Sequence, residues 1–506
     1  MVCYCYLVSD DAETLLQEHD RVLRDWNDEK ELWLDELLRL EGLRTSPLDE
    51  CERCHSTEPD IKPEYRCQDC FAARFVCRRC CLLDHESNPY HRIQQWKGDF
   101  FESVTLQAVG LVVQLGHKLG ERCLNPSASP RASVVLHTNG FHPLLRRELY
   151  PASLTDPSTF FTMRMLEHFH ILTLQSKMAA YDWYETLTRL TDNTGLGQQR
   201  DRFKAFLRVF REWRHLKMLK RAGRSYESGG VRDIADGGLC VRCPACPTPG
   251  VNLPPNWDMV TPDLRYLYTL IIAIDANFRL KHRAVSSYER DPGLTNGHGY
   301  FVEDEAYRKH ILQYVDETDM STCTGFRAMK YANLKGGHGY AQTGVAMAVC
   351  ARHGFILPNG VGDLQKGERY CNVDYITASA LRLSRLLGIP FVISYDIVCQ
   401  WYTNRDSRWT DDKFPLHLRM VIPEGELRYA IPKYHFHGHR SLGHNRFSLN
   451  LMPGVGRTDG EEIERSWARH SGTAASTREM GPGSRHDTLE DHFGWSNWLK
   501  YSGMGK

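Results

Sequence analysis

Two stretches of the chain are apolar almost without interruption and end on an aspartate: LYTLIIAID at 267–275 and IPFVISYD at 389–396. Short runs of this kind predict strands buried on both faces, in a sheet covered by helices on either side. The ligand crevice of such a sheet lies past its strand ends. Asp275 and Asp396 would face each other there if the two strands are neighbours. Elsewhere the apolar spacing is helical. Leu15, His19, Val22, Leu23 and Trp26 share a stripe within the acidic segment 9–42, which predicts an amphipathic helix that packs on the next domain or pairs with a second copy. Residues 160–191 read as helix up to the turn at 192–195. Phe203, Phe206, Leu207, Phe210 and Trp213 mark the apolar face of a helix over 200–224. Residues 96–123 read as one or two strands punctuated by Gly110, Gly116 and Gly120, and 127–131 as a loop.

Cysteine changes this picture most. The chain has 17, many in C-x-x-C pairs. Residues 1–7 are too short for a secretory signal, and no run of about 18 apolar residues offers a membrane span. A reducing compartment, and metal ligation over disulfides, is the expectation. Cys51-x-x-Cys54, Cys67-x-x-Cys70, Cys77-x-x-Cys80, His85 and His91 supply eight candidate ligands. Zinc takes four thiolates or imidazoles in a tetrahedron, so eight make two closed, structural sites. Cross-brace pairing would join Cys51, Cys54, Cys77 and Cys80 on one ion and Cys67, Cys70, His85 and His91 on the other. Sequential pairing is the alternative that spacing leaves open. Cys81 is spare, and His55 could substitute. Arg53, Arg74, Arg78, Arg79 and Arg92 would give this module phosphate contacts, or only a solvated rim. Further on, Cys240, Cys243 and Cys246 invite another metal, with the fourth ligand from Cys323, Cys350 or His353; buried thiols are the competing reading.

Charge and length set bounds. Lys and Arg number 63, as do Asp and Glu, so a DNA-binding face would have to be local. The 200–224 helix offers one through Arg208, Arg211, Lys217 and Arg221, although a solvated polar face fits equally. The 506 residues suggest two or three domains. A third acidic element, TDGEEIERSW at 458–467, places Glu461 and Glu464 on one helical face at i, i+3. Three carboxylates in one crevice suit a pair of Mg²⁺ or Mn²⁺ ions. A helix cap at Asp396 and an acidic helix start would explain the same residues without chemistry.

The blocks AIDANFRLKHR (273–283), CARHGFILPNGVGDLQKGERYCNVDY (350–375), SYDIVCQW (394–401) and PGVGRTDGEEIERSW (453–467) resemble the catalytic core of Kyakuja–Dileera–Zisupton transposases. REWRHLKMLKRAGR (211–224), CPACP (243–247) and HTNGFH (137–142) resemble blocks upstream of that core, and the cluster at 51–91 is similar to the CxC2-like cysteine cluster associated with the family. The resemblance implies an α/β protein with a ribonuclease-H-like DDE core, a mixed sheet flanked by helices. A small zinc-binding cross-brace domain and a helical middle region would precede it. The implied division is a helical lead at 1–44, the cysteine cluster domain at 45–125, the basic helical region at 126–250 and the core at 251–506. Asp275 and Asp396 match the first two catalytic acids; Glu461 is favoured as the third, with Glu464 as runner-up. The implied chemistry is Mg²⁺- or Mn²⁺-dependent strand cleavage, then strand transfer, on transposon-end and target DNA. A nuclear location follows, and self-association is left open. A catalytically inactive DNA-binding relative and a zinc-mediated protein-interaction module are the competing functions.

Three departures from the family pattern stand out. The family tends to carry H-x-x-x-H-x-x-x-C, implying a metal-binding element at His435 and His439. Here Gly443 occupies the cysteine position, with His444 beside it. The segment after His142 lacks an expected Cys-x-Cys pair. The stop at Lys506, where relatives continue, is read as a truncation.

Overall fold

The computed structural model describes residues 42–43, 46, 48–70, 74–112, 134–136, 149–153, 159–195, 200–224, 227–228, 230–314, 339–386, 388–439 and 443–505. The helix expected over 9–42, the loop at 127–131, the block at 137–142, Gly116, Gly120 and Cys323 lie outside them. The chain divides into two compact units, Met1–Phe160 and Phe161–Lys506. The 200–224 helix falls within the second of these units.

In the first unit, β1 (Pro63–Cys67), β2 (Val76–Cys77), β3 (Ile93–Trp96) and β4 (Phe101–Val104) form an antiparallel sheet in the order β2-β1-β3-β4. Helix α1 (Arg78–His85) follows β2 directly. Strand β1 alternates, with Pro63, Tyr65 and Cys67 inward. The core beneath is small, and five of its ten buried members are cysteines: Cys51, Cys67, Cys77, Cys80 and Cys81. So little apolar area is characteristic of domains stabilised by metal.

The second unit begins with α2 (Met163–Ser176), α3 (Ala180–Thr191) and α4 (Phe203–Arg221). The phenylalanine stripe of α4 packs as its periodicity predicts, with Phe206 and Phe210 against Phe169 of α2. A five-stranded sheet follows: β5 (Leu270–Asn277), β6 (Gly344–Cys350), β7 (Ile356–Leu364), β8 (Phe391–Tyr395) and β9 (Leu427–Ala430). Its order is β7-β6-β5-β8-β9. The pairs β5/β6 and β6/β7 are antiparallel; β5/β8 and β8/β9 are parallel.

Both faces of this sheet are covered, which is why β5 reads as a continuous apolar run. Leu270, Ile272 and Ile274 point into a core shared with Val373, Ile376 and Ala380 of α5 (Tyr370–Leu386). Ile271 and Ala273 point the other way, towards Ile463 and Trp467 of α6 (Glu462–His470) and Leu489 and Phe493 of α7 (Pro482–Gly503). Helix α7 is buried along most of its length despite its charges, because each charge is answered. Arg485 and His486 bind Asp363 at 2.7 and 2.8 Å, and Glu490 accepts the backbone N–H groups of Tyr300 and Phe301. No helix among the described residues is long and apolar enough to cross a membrane.

Candidate functional site

The eight ligands of the first unit converge in two groups. Cys51, Cys54, Cys77 and Cys80 form one, and Cys67, Cys70, His85 and His91 the other, with the ligand atoms of each group within 4.8 Å of one another. The pairing is interleaved, as in the cross-brace alternative. The geometry fits zinc. A thiolate at about 2.3 Å and an imidazole at about 2.0 Å on one tetrahedral ion stand roughly 3.5 Å apart. Cys67 Sγ lies 3.5 Å and Cys70 Sγ 3.4 Å from His91 Nδ1, and Cys70 Sγ lies 3.7 Å from His85 Nε2. His85 Nδ1 faces the Cys81 carbonyl at 2.7 Å, which orients the ring so that Nε2 meets the metal. Burial opposes the Cys51 thiolate, but backbone N–H groups, among them that of Cys77 at 3.3 Å, outweigh it and bring the thiol down to about 6. Of the arginines considered for phosphate, Arg53 and Arg92 pair with Asp84 and Asp69, and Arg78 Nε donates to the Val109 carbonyl.

A third group lies in the second unit: Cys243, Cys246, Cys350 and His353. His353 Nδ1 lies 3.4 Å from both Cys243 and Cys350. Both downstream candidates thus join the CPACP turn, while Cys240 belongs to the hydrophobic core on the sheet's other face. The group ties that turn to the end of β6.

The two aspartates lie on neighbouring parallel strands. Asp275 is inside β5, opposite Met347 of β6, rather than at the strand end. Tyr395 pairs with Ile274, so Asp396, the next residue, stands level with Asp275. Burial pushes Asp275 well above the usual carboxylate range, and the charges of Asp396, Glu368 and Glu464 add to it. Asp396 is raised to about 6 by burial, with Glu464 adding and His435 and the Ile397 N–H opposing. Its Oδ1 accepts that N–H at 2.8 Å.

Of the three glutamates in the DGEEIER block, Glu461 and Glu464 both lie at the start of α6, but they do different things. Gly460, at φ 79°, lets the preceding turn lie against β8; a Cβ there would stand 2.7 Å from Ser394 Oγ. Glu461 caps the helix, and its Oε1 accepts the Tyr434 N–H at 2.9 Å. Glu464 is the one whose charge acts on both aspartates. Glu464 itself is half exposed, with its carboxylate 3.9 Å from His435 Nε2. The sequence reading also missed Glu368, buried beneath the pair and 2.5 Å from the Tyr395 hydroxyl, with its carboxyl pushed up to about 8 by burial and by Asp396. No periodicity marks it, although it lies in one of the blocks quoted above.

His435 and His439 do not share a metal group. His435 Nε2 lies 3.9 Å from Glu464 Oε1 and faces the acidic crevice. His439 groups instead with Cys399 and His444. A four-residue spacing on a short helix that ends at Phe436 carries the second histidine off the first one's face.

Three cations of α4 are partly buried against acids of the same unit, while Lys204, Arg208 and Lys220 are exposed. Arg211 binds Asp291 at 2.5 Å and Asp487 at 2.6 Å, Lys217 binds Glu167 at 2.7 Å, and Arg221 binds the fully buried Asp491. Exposed Arg208 is also partnered within the chain. These cations neutralise the acids of α7 and its surroundings, so the geometry does not present Arg211, Lys217 and Arg221 as a phosphate track.

What these features define is a module with two Cys- and His-rich groups that could each hold a metal, and a mixed α/β unit whose parallel strands bring acids together. Residues 268–497 match the family model of the Kyakuja-Dileera-Zisupton transposases. Residues 106–144 and 143–195 match the CxC2 like cysteine cluster associated with those transposases. The chain thus carries a Kyakuja-Dileera-Zisupton transposase domain with the CxC2 region ahead of it. The CxC2 match begins at residue 106, after the 51–91 ligands, so the two-site module precedes the matched segment. No curated protein and no solved structure matches the chain.

Proposed function

We propose that the chain is a DNA transposase of the DDE type, cutting and joining strands at a site formed by Asp275, Asp396 and Glu464. The observation that carries this reading is the level placement of Asp275 and Asp396 on adjacent parallel strands, with Glu464 directed at both. The sheet supports a ribonuclease-H-like core: its first strand is central, the next two run antiparallel outward, and the last two run parallel on the other side. Clustered carboxylate oxygens, with one imidazole near them, are a donor set for hard divalent cations. Mg²⁺ or Mn²⁺ held there would stabilise the attacking and leaving oxygens of a phosphodiester displacement.

The chain's own residues hold this set. Trp467 Nε1–H donates to Asp275 Oδ2 and the Ile397 N–H to Asp396 Oδ1, fixing one oxygen of each and leaving the other for the site. In cleavage, water adds to phosphorus, the P–O3′ bond breaks and the 3′ oxygen takes a proton. In strand transfer that 3′ hydroxyl adds to a target phosphorus and the target's P–O3′ bond breaks. His435, beside Glu464, is placed to accept or return the proton. The DNA partner, the nuclear setting and self-association belong to this reading, as does structural zinc in the cysteine groups. Asp275→Asn keeps size but removes charge. It should abolish Mg²⁺-dependent cleavage of transposon-end DNA while leaving DNA binding nearly intact; equal cleavage by wild type and variant would refute the site.

A further inference from the structure

A second set of donors lies behind Asp396. Cys399 is on the helical turn Val398–Trp401 that follows it, and His439 and His444 approach from the segment after β9. The three ligand atoms lie within 4.8 Å of one another. Cys399 Sγ is 3.6 Å from His439 Nδ1, again the edge of a tetrahedron around zinc, roughly 3.5 Å. His439 is only 8% exposed. The Nδ1 of His444 is buried without a hydrogen-bond partner among the described residues. An imidazole nitrogen left bare inside a protein is costly; a cation in contact with the ring would account for its place. Gly443, directly before His444, takes φ 84°.

We propose that Cys399, His439 and His444 bind one zinc ion, with solvent in the fourth position. One thiolate and two imidazoles suit zinc's borderline softness and fit poorly with Mg²⁺, which prefers oxygen. The ion is therefore distinct from any held by the acidic crevice. The site also differs from the three Cys- and His-rich groups already described, each of which offers four ligands and closes the shell. Its effect is to fasten His439 and His444 to the helical turn that follows Asp396. The proposal does not depend on the transposase chemistry, because zinc binding is read without DNA.

The test uses the full-length protein and zinc quantified by mass spectrometry after exhaustive dialysis. Cys399→Ser and His444→Ala should each lower the zinc content by about one equivalent relative to wild type, whereas Cys371→Ser, at a buried thiol outside every group, should lower it by none. His444 is only partly buried, so its variant should remain folded even if Cys399→Ser does not. The wild-type protein reconstituted with Co²⁺ supplies a second readout. An open site takes exogenous imidazole and shifts its visible bands, whereas closed four-ligand sites do not. An unchanged zinc content in folded His444→Ala, or a cobalt spectrum indifferent to imidazole, overturns the proposal. Absence of DNA cleavage by the wild-type protein with its zinc content as expected would count against the acidic site alone.

Discussion

The indole N–H of Trp467 donates to Oδ2 of Asp275 across 2.7 Å. One bond thereby ties the helix that carries Glu464 to the strand that carries the first aspartate. Trp467→Phe keeps most of the packing and removes the donor. A hydrogen bond to a charged acceptor is worth about 1.5–3 kcal/mol, so cleavage should fall roughly ten- to hundredfold. Glu464→Gln should abolish cleavage. Glu461→Gln should leave it within a few-fold of wild type and lower stability slightly, since the Glu461 carboxylate holds the Tyr434 N–H. Single-turnover cleavage of end DNA measures all three. Loss with Glu461→Gln and retention with Glu464→Gln would return the role to the residue first favoured from the sequence.

Cys81 tests which cysteines of the first unit hold metal. Its carbonyl sits against His85 Nδ1 at 2.7 Å, with its thiol farther off at 4.0 Å, on the side of the ring away from Nε2. Cys81→Ala should therefore retain full zinc content, whereas Cys51→Ser should release one ion and unfold the module, because structural zinc binding is folding free energy in such domains. Zinc release, followed with a colorimetric chelator during a denaturant titration, separates the two.

Arg221 should behave as a core residue rather than a DNA contact. Asp491 is fully buried and held far below the usual carboxylate range, against the cost of its burial, by His170, Arg221 and Arg214. Removing one partner of a buried pair costs about 3–5 kcal/mol. Arg221→Ala should approach the lower end, since two partners remain, and should leave the salt dependence of DNA binding per folded molecule unchanged. Urea denaturation measures the first effect and binding at two ionic strengths the second. A reduced salt slope would restore the phosphate role.

Stability should fall as the pH drops below about 6.5, through His470. Burial, then the charges of Lys177, Lys500 and Arg469, lower its folded-state value to about 3, and neither ring nitrogen has a partner among the described residues. Above the unfolded value both states are neutral and there is no slope. Below it the unfolded chain takes up a proton that the folded chain refuses. About 1.4 kcal/mol is then lost per pH unit down to the folded value. His470→Phe should flatten that part of the profile between pH 6.5 and 5, measured as the difference in unfolding free energy from wild type. An identical slope in the variant would show that the ring is not buried neutral.

Much of this arrangement is written locally in the chain, and the part that is not is the part set by distant segments. The runs ending at Asp275 and Asp396 are apolar because both faces of the sheet are covered, so local composition announced two buried strands. C-x-x-C spacing likewise announced the ligands of the first unit, although only the fold selects the interleaved pairing. Cys399 carries no such mark: its metal partners lie 40 or more positions away, and nothing near it repeats. The basic face of α4 misled for a related reason. A cationic stripe looks the same whether it meets phosphate or the carboxylates of Asp487 and Asp491, and the second alternative is visible only once α7 is in place. Between Glu461 and Glu464, helical periodicity put both on one face and could not say which of them a distant backbone group would engage, as the Tyr434 N–H engages Glu461.

The contact between Trp467 and Asp275 joins positions 192 residues apart, and this bears on when the molecule becomes competent. Long-range pairings are slow to form, because the entropy of closing so large a loop is spent before any contact rewards it. While the chain emerges from the ribosome, β5 through β9 can assemble and bring the two aspartates level. Glu464 and the tryptophan that secures it arrive later. A nascent chain is thus unarmed through most of its synthesis, and competence to cut DNA would begin only once the polypeptide has emerged past α6.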